Sequence, residues 1–343
     1  MPDLLEVTPD GIYCRAGGFY VDPWGAVEHA VITHAHSDHV PQAAKRYLAA
    51  RAGVEVLRAR VGLDAAVEGL GYGESVRIGD ALVSLHPAGH VLGSAQVRIE
   101  QGGEVWVVSG DYKVDPDPTC AAFEPVRCHT FVSESTFGLP IYRWPKQWQV
   151  FDEIHTWWRG NQDNGKASLL FAYALGKAQR VLAGMDGSIG PIYAHGAVER
   201  VNRLYREAGV PLPPTLYPGD APVGTDWSRA LILAPPSSNG TPWMRRFGHV
   251  SRGFVSGWMR IRGARRRRSL DRGFVLSDHA DWAGLLASIE ASGAERVWVT
   301  HGYRLPLVKW LRNQGLDAHA VETRFEGERD EGDGDAPQPE AES

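Results

Sequence analysis

The segment THAHSDHV, residues 33 to 40, sets His34, His36, Asp38 and His39 directly after the apolar run AVI. Histidine accounts for only 13 of the 343 residues, so a His-x-His-x-Asp-His pattern would arise by chance in about one chain in a thousand. Neutral imidazole and carboxylate groups are the usual protein ligands of zinc and its neighbours. The segment therefore predicts a divalent metal site.

The alternative interpretation of this segment is the start of a helix. Asp38 or Ser37 could cap a helix that runs through residues 40 to 44. Capping explains one side chain, however, and it leaves three crowded imidazoles whose protonated forms would repel one another. The metal site is the stronger hypothesis.

Further polar side chains follow other apolar runs of the sequence. Seven runs are followed at their carboxyl ends by a side chain that can bind metal or transfer a proton: Asp22, His34, His90, Asp111, Glu134, His279 and His301. One aspartate after a strand is more often a turn residue or a helix cap, so the prediction rests on the whole set. Ligands of open α/β sheets bind at the carboxyl edge, where these side chains would converge. With His90, Asp111 and His301 added, the cluster at residues 34 to 39 offers five histidines and two aspartates. These exceed the four ligands of one tetrahedral zinc, which predicts a site for two metal ions.

The pattern of elements predicts an α/β fold. Short β-rich runs bounded by turn residues fill the first third of the chain, for example GFYVD, ALVSLH and HTFVSES. From about residue 144 helical patterns such as QWQVFDEIHTWWRGNQ alternate with short strands such as SLLFAY, which indicates βαβ units. Strands return in RGFVLSDH and ERVWVTHG. The simplest organisation is an α/β domain interrupted by an inserted domain.

Composition sets the broad class of the protein. With 43% hydrophobic and 22% charged residues, the chain has the balance of a soluble globular protein of about two domains. It has no long apolar run and no apolar signal core at residues 1 to 11, so we expect a cytoplasmic protein without a membrane partner. Cys14, Cys120 and Cys128 are widely spaced and predict free thiols rather than a disulfide framework.

Charge is distributed unevenly along the chain. The net charge is −5, but residues 326 to 343 hold eight acids and one base and should form a disordered acidic tail. Six arginines cluster within residues 260 to 268: Arg260, Arg262, Arg265, Arg266, Arg267 and Arg268. A basic run is usually a solvated face, but this one would lie where the insert returns to the first domain. We expect Arg265, Arg266, Arg267 and Arg268 to bind a nucleic-acid backbone.

Two smaller groups have open interpretations. The tryptophans Trp144, Trp148, Trp157 and Trp158 could stack on bases, but their helical spacing favours packing. Lys177 and Arg180 in LGKAQR could either meet phosphate or form a pair on a helix surface.

The ordered set of motifs resembles a known family. Asp22, HAHSDH, His90 and Asp111 occur in the order of the metallo-β-lactamase fold. Glu134 in SESTFG, His279 in SDHADW and His301 in VTHG resemble the three further motifs of its β-CASP nucleases. All but the acidic tail resembles the bacterial DNA-ligase-associated exonucleases of the DNA damage response, in stretches such as HPAGHVLGSAQ and APPSSNGTPWMRRFG.

The resemblance implies a fold and a ligand set. It implies a metallo-β-lactamase αββα sandwich at residues 1–140 and 273–325, interrupted by an α/β β-CASP domain at 141–272, with the tail at 326–343. His34, His36 and His90 would hold one metal ion; Asp38, His39 and His301 would hold the other; Asp111 would bridge them. Asp22 would not bind metal itself but would orient a ligand histidine. Asp38 would be both a metal ligand and a catalytic residue. The ions would be zinc, with manganese as the alternative.

The resemblance also implies an activity. Two such ions suit phosphodiester hydrolysis. His279, with Glu134 as its partner, would either protonate the leaving sugar oxygen as the general acid or orient the phosphate. The expected enzyme is a DNA exonuclease that works beside an ATP-dependent DNA ligase and a helicase. An RNA nuclease is the main alternative, because His301 resembles the RNA-processing members. A hydrolase of small esters, thioesters or lactams is less favoured, since a small substrate needs no inserted domain. A non-catalytic nucleic-acid-binding module is less favoured because the chain keeps every metal ligand that the resemblance implies.

Overall fold

The computed structural model describes residues 3–40, 44–261 and 270–323, which form three β-sheets and six α-helices within those ranges. The predicted mixed α/β class is confirmed. Among the described residues, the longest helix, Gln147–Asp163, has 17 residues, and none is both long and apolar enough to cross a membrane.

The first sheet contains the first six strands in chain order. They are β1 Leu5–Thr8, β2 Gly11–Cys14, β3 Phe19–Val21, β4 Val27–Val31, β5 Ala44–Ala50 and β6 Val67–Leu70, with helix α1 Val54–Val61 before β6. The first three strands pair antiparallel, and β3 to β6 run parallel. The carboxyl ends of β3 and β4 therefore lie at the same edge.

The second sheet takes strands from both ends of the chain. It contains β7 Ser75–Ile78, β8 Ala81–Pro87, β9 Ala95–Gln101, β10 Glu104–Val108, β11 Thr130–Glu134, β17 Arg296–Thr300 and β18 Asp317–Ala320, in the order β18-β17-β11-β10-β9-β8-β7. Its apolar side chains share one core with those of the first sheet, including Phe19, Val83 and Trp106. Helices α5 Trp282–Ser292 and α6 Arg304–Asn313 cover its other face through Leu285 and Leu307.

The third sheet is wholly parallel and lies between β11 and β17 in sequence. Its strands are β12 Ala167–Phe171, β13 Ile192–Ala194, β14 Leu231–Ala234, β15 Val250–Val255 and β16 Arg272–Phe274, in the order β13-β14-β12-β15-β16. Helices α2 Gln147–Asp163, α3 Lys177–Ala183 and α4 Gly196–Glu207 belong to the same stretch. Because β11 and β17 are neighbours in the second sheet, the chain leaves that sheet, builds the third and returns beside its point of departure.

Two details differ from the expectations. The alternative helix would cover residues 40 to 44, of which 41 to 43 lie outside the described residues; Ala44 is not helical but begins β5, which pairs parallel with β4. The packing role of the tryptophans is wrong for Trp148, which is 62% exposed, whereas Trp158 is fully buried.

Candidate metal centre

Three sheet edges together supply the predicted residues. Asp22 follows β3 and the segment 34–39 follows β4 in the first sheet; His90, Asp111, Glu134 and His301 come from the ends of β8, β10, β11 and β17 in the second; His279 follows β16 in the third. The four strands of the second sheet run in one direction, since β8 and β10 are each antiparallel to β9 and the others pair parallel. The predicted convergence is present, but from three sheets rather than from one.

Three histidines form the tightest part of the centre, which we call the three-histidine set: His34, His36 and His90. The Nδ1 atom of His36 lies 3.1 Å from the Nε2 atoms of both other rings. Four-coordinate zinc with Zn–N bonds of about 2.0–2.1 Å places its nitrogen ligands about 3.4 Å apart. With a carboxylate oxygen of Asp111, the ligand atoms of this set all lie within 4.8 Å of one another. The donor atoms and their spacing therefore fit a divalent metal.

Each ring of the three-histidine set is held at its outer nitrogen. The Nε2 atom of His36 lies 3.2 Å from the carbonyl oxygen of Leu175, and the Nδ1 atom of His90 lies 2.8 Å from that of Asp278. A carbonyl oxygen only accepts, so these nitrogens carry the protons and the inner nitrogens present lone pairs. The outer Nδ1 of His34 lies 3.1 Å from the Thr33 hydroxyl. Such outer partners orient metal-binding histidines.

The remaining predicted ligands form the outer set: Asp38, His39 and His301. The Nε2 atom of His39 is buried without a hydrogen-bond partner and lies 3.8 Å from an Asp38 oxygen. The His301 ring lies 5.2 Å from the His39 ring, centroid to centroid. On the opposite side of His39, Nδ1 lies 2.7 Å from Asp22. The outer set is thus looser than the three-histidine set, and Asp22 contacts the ring that it is expected to orient.

Asp111 lies between the two sets. One carboxylate oxygen is 3.6 Å from Nε2 of His34 and 3.4 Å from Nε2 of His39. Burial alone would raise the pKa of the Asp111 carboxyl, but the surrounding histidines, His39 foremost, hold it well below its usual value. Asp111 is therefore ionised, and both sets can share its carboxylate oxygen.

The histidines of the two sets differ in their electrostatics. Burial, aided by the neighbouring rings, lowers the pKa of His34 and of His90 well below the usual value. Burial acts on His39 in the same direction, but the three carboxylates around it, Asp111 foremost, raise its pKa well above the usual value. The rings of His34 and His90 are therefore neutral, whereas His39 is surrounded by negative charge.

Backbone strain is concentrated at this centre. Among the described residues, only Asp22 and His301 have a positive φ without being glycine, at 44° and 49°. Residues other than glycine rarely adopt this backbone conformation, and it persists only where the surrounding structure fixes it. Gly110, before Asp111, has a φ of 56°, and a Cβ there would lie 2.5 Å from Thr33. The turns that carry these side chains are therefore closely fixed by the surrounding structure.

Glu134 and His279 form a buried pair beside the predicted metal ligands. The Nδ1 atom of His279 lies 3.0 and 3.1 Å from the two Glu134 carboxylate oxygens, one of which accepts a hydrogen bond from the Tyr112 backbone. The same Nδ1 is 3.9 Å from Asp111. Burial raises the pKa of the Glu134 carboxyl, although His279 acts in the opposite direction. Glu134 therefore fixes the ring of His279 next to the shared carboxylate.

Sequence reasoning missed Asp278 as part of this centre. Its side chain is fully buried and lies 3.1 Å from the equally buried Nζ of Lys177, while its carbonyl oxygen holds His90. Burial alone would raise the pKa of the Asp278 carboxyl, but Lys177 and the nearby histidines keep it well below its usual range. The surface-pair reading of Lys177 and Arg180 is wrong, because Arg180 is also buried and donates to the carbonyls of Gly89 and His90. Only the proximity of Asp278 to His279 in SDHAD pointed to it.

Two predicted features lie outside the described residues. The arginines Arg262, Arg265, Arg266, Arg267 and Arg268 and the acidic tail from residue 326 belong to the ranges that the structure does not describe. Arg260 is described and exposed, with its Nε 3.5 Å from the carbonyl oxygen of Ile141.

Comparison with known proteins identifies relatives. A probable DNA ligase of Opitutus terrae is 31% identical over 314 residues, which are 91% of this chain and 30% of that protein. The endoribonuclease YSH1 of Yarrowia lipolytica is 30% identical over 35% of this chain and 14% of its own length, and Integrator complex subunit 11 of Danio rerio is 32% identical over 39% and 24%. The resemblance to β-CASP nucleases is confirmed. No protein-family model matches the chain.

These relatives are longer than this chain, which spans less than a third of each of the three. A crystal structure of a protein of unknown function from Enterococcus faecalis has a TM-score of 0.57 at 10% identity and covers 88% of this chain and 80% of its own. That likeness concerns the fold alone. Several groups of histidine, aspartate and glutamate side chains in the centre could bind a metal ion.

Proposed function

We propose that the chain is a metal-dependent nuclease that hydrolyses phosphodiester bonds in DNA. The observation that carries the proposal is the group of His34, His36, His90 and Asp111, whose ligand atoms lie within 4.8 Å of one another beside the Glu134–His279 pair. A hydrolase of small esters would need no third sheet at the centre. In this chain, Leu175 of the inserted stretch holds His36, and Asp278, just after that stretch, holds His90.

The proposed architecture assigns each sheet to a domain. The first two sheets, at residues 1–140 and 273–325, correspond to the metallo-β-lactamase αββα sandwich. The third sheet, except for the last two residues of β16, corresponds to the inserted β-CASP domain at 141–272. The shared core of the first two sheets and the placement of the third between the neighbouring strands β11 and β17 support this assignment.

Two divalent ions, zinc by the preference of a histidine-rich donor set, would occupy the centre. The three-histidine set would hold one, the outer set the other, and Asp111 would be shared. When bound, such ions lower the pKa of water and neutralise charge at a phosphodiester. The buried Nε2 of His39, which has no hydrogen-bond partner, supports a ligand role for that atom.

The chain's own residues would supply the proton for the leaving group. Glu134 holds Nδ1 of His279, so the opposite ring nitrogen, Nε2, would donate a proton to the departing sugar oxygen. Replacement of His279 by alanine should lower turnover and leave the metal content intact. Loss of metal in that variant would make His279 a ligand and would contradict this role.

The choice of DNA over RNA rests on the extent of the similarities. The relative named as a DNA ligase matches 91% of the chain, whereas the endoribonuclease matches 35%. A role beside an ATP-dependent DNA ligase and a helicase in DNA repair is part of the proposal. An RNA-processing nuclease is the second candidate, favoured by the position of His301 next to His39.

The test is a cleavage assay with matched DNA and RNA oligonucleotides labelled at either end, in zinc or manganese. The wild type should shorten DNA stepwise from one end, and Asp38→Asn should not, whereas Asp163→Asn, an exposed change at the end of α2, should behave as the wild type. Preferential cleavage of RNA would replace DNA as the substrate. Cleavage of neither would refute the nuclease.

A further inference from the structure

The carboxyl edge of the third sheet leads away from the metal centre. The end of β16 continues to His279, and the end of β12 continues to Leu175, whose carbonyl oxygen meets His36. Beyond β12 lie β14 and then β13. Strands are spaced about 4.8 Å apart, so the end of β13 lies about 10 Å along this edge from the end of β12. Ligands of parallel sheets bind outside such an edge.

Aromatic side chains gather at the far end of this edge. His195 follows β13 and caps α4, with Nδ1 accepting a hydrogen bond from the Ala197 backbone at 3.1 Å. The Trp243 ring, on the segment after β14, lies edge-on to the His195 ring at 4.8 Å. Tyr217 is 45% exposed, and its ring lies 3.6 Å from the position of a Cβ on Gly196.

Positive charge surrounds the same aromatic group. The Arg246 guanidinium lies 6.0 Å from the centroid of the Trp243 ring, and Arg246 and Arg200 are both exposed. Burial, then Arg200 and Arg246, lower the pKa of His195, so both arginines act on this ring. We call these five residues the edge patch: His195, Arg200, Tyr217, Trp243 and Arg246.

We propose that the edge patch binds the part of a single-stranded DNA substrate that lies beyond the scissile bond, with phosphates on the two arginines and bases against the aromatic rings. Exposed aromatic rings interleaved with cations are the usual means of holding single strands without sequence preference. At about 3.4 Å per stacked nucleotide, 10 Å corresponds to about three nucleotides. The inference rests on the proposed nuclease function and assigns its substrate a second contact.

The experiment compares Arg200→Ala/Arg246→Ala with Arg203→Ala, a control on the same helix whose arginine pairs with Glu207 at 3.8 Å. Fluorescence anisotropy with labelled 12-nucleotide single-stranded DNA in EDTA measures binding, and hydrolysis of bis(4-nitrophenyl) phosphate in zinc measures the centre alone. The double variant should bind DNA about tenfold more weakly, with a salt slope smaller by about 1.4. The double variant should hydrolyse bis(4-nitrophenyl) phosphate as fast as the wild type. Arg203→Ala should match the wild type in both DNA binding and hydrolysis.

A separate variant tests the aromatic part. Tyr217→Ala changes an exposed ring and should weaken binding of the 12-nucleotide strand by about tenfold without changing the salt slope. Unchanged affinity and slope in the arginine variant would overturn the edge patch, as would failure of the wild type to bind the strand. Binding that depends on the patch in a protein that cleaves no DNA would support the patch and refute the nuclease.

Discussion

The two ligand sets of the centre are built differently. The outer nitrogens of the three-histidine set meet neutral partners, two backbone carbonyls and a hydroxyl, at 2.8 to 3.2 Å. In the outer set, His39 meets the charged Asp22 at 2.7 Å and has Asp38 and Asp111 nearby. Neutral partners leave a ring ready to bind a cation, whereas carboxylates stabilise a protonated ring that must lose its proton first.

The sets also differ in what supports them. Behind the three-histidine set lies a buried polar layer, in which Lys177 pairs with Asp278 and Arg180 holds the carbonyls of Gly89 and His90. The outer set depends instead on strained turns at Asp22 and His301. We infer that the inserted stretch stabilises one set and the local backbone the other, which the following variants can separate.

The largest effect should come from Lys177→Met. This variant leaves the Asp278 carboxylate buried without its partner at 3.1 Å, and breaking such a pair costs about 3–5 kcal/mol. Urea unfolding should show this loss in the free energy of unfolding. The double variant Lys177→Met/Asp278→Asn should recover most of the loss. A single variant as stable as the wild type would show that the layer does not support the three-histidine set.

Asp111→Asn should affect both sets at once. Even the outer partner of a metal ligand typically contributes about 10–100-fold to affinity or activity, so removal of the shared carboxylate should lower the cleavage rate by more than about 100-fold. Elemental analysis should show less metal bound than in the wild type. Asp115→Asn is the control, because its exposed carboxylate lies four residues further along the chain and pairs with Lys113. Full metal content in Asp111→Asn would contradict its position between the sets.

Asp22→Asn should separate the two sets. Among the described ligand rings, its carboxylate hydrogen-bonds to His39, and its other hydrogen bonds are with the backbone and hydroxyl of Thr33. The affinity of the more weakly bound metal equivalent should fall by about 10–100-fold, and the tighter equivalent should be unchanged. Competition of zinc with a chromogenic chelator measures both affinities. Equal weakening of both equivalents would mean that the sets are not independent.

The sequence alone predicted much of the centre, for a physical reason. The predicted ligands His34, Asp111 and His301 each follow a strand, and the apolar run of a strand is easy to find in a sequence. The contact between Glu134 and His279, 145 residues apart, followed from the resemblance rather than from spacing.

Other features depend on contacts that no local pattern records. Lys177 has the charge of a surface residue and is buried because Asp278 meets it from a distant strand end. Strand β5 begins with exposed Lys45 and Arg46 before four buried residues, which hides the alternation typical of a strand. Trp148 has helical spacing but lies on the open side of α2. Local periodicity predicts elements, and tertiary partners decide which charges and rings they bury.

The smallest effect should be the pH dependence of Cys120 alkylation. Burial raises the pKa of this thiol to about 11, despite the opposing influence of Arg180 in the same polar layer. An exposed thiol with a pKa of about 8.5 approaches its full rate by pH 9. The rate at Cys120 should instead keep rising about tenfold per pH unit from 7 to 10, because the reactive thiolate remains a minor species. Iodoacetamide labelling followed by peptide mass spectrometry measures this rate, and Cys14 and Cys128, both buried, should react more slowly still. A rate that levels off near pH 9 would show that the layer behind the three-histidine set opens in solution, and it would remove the contrast with the outer set.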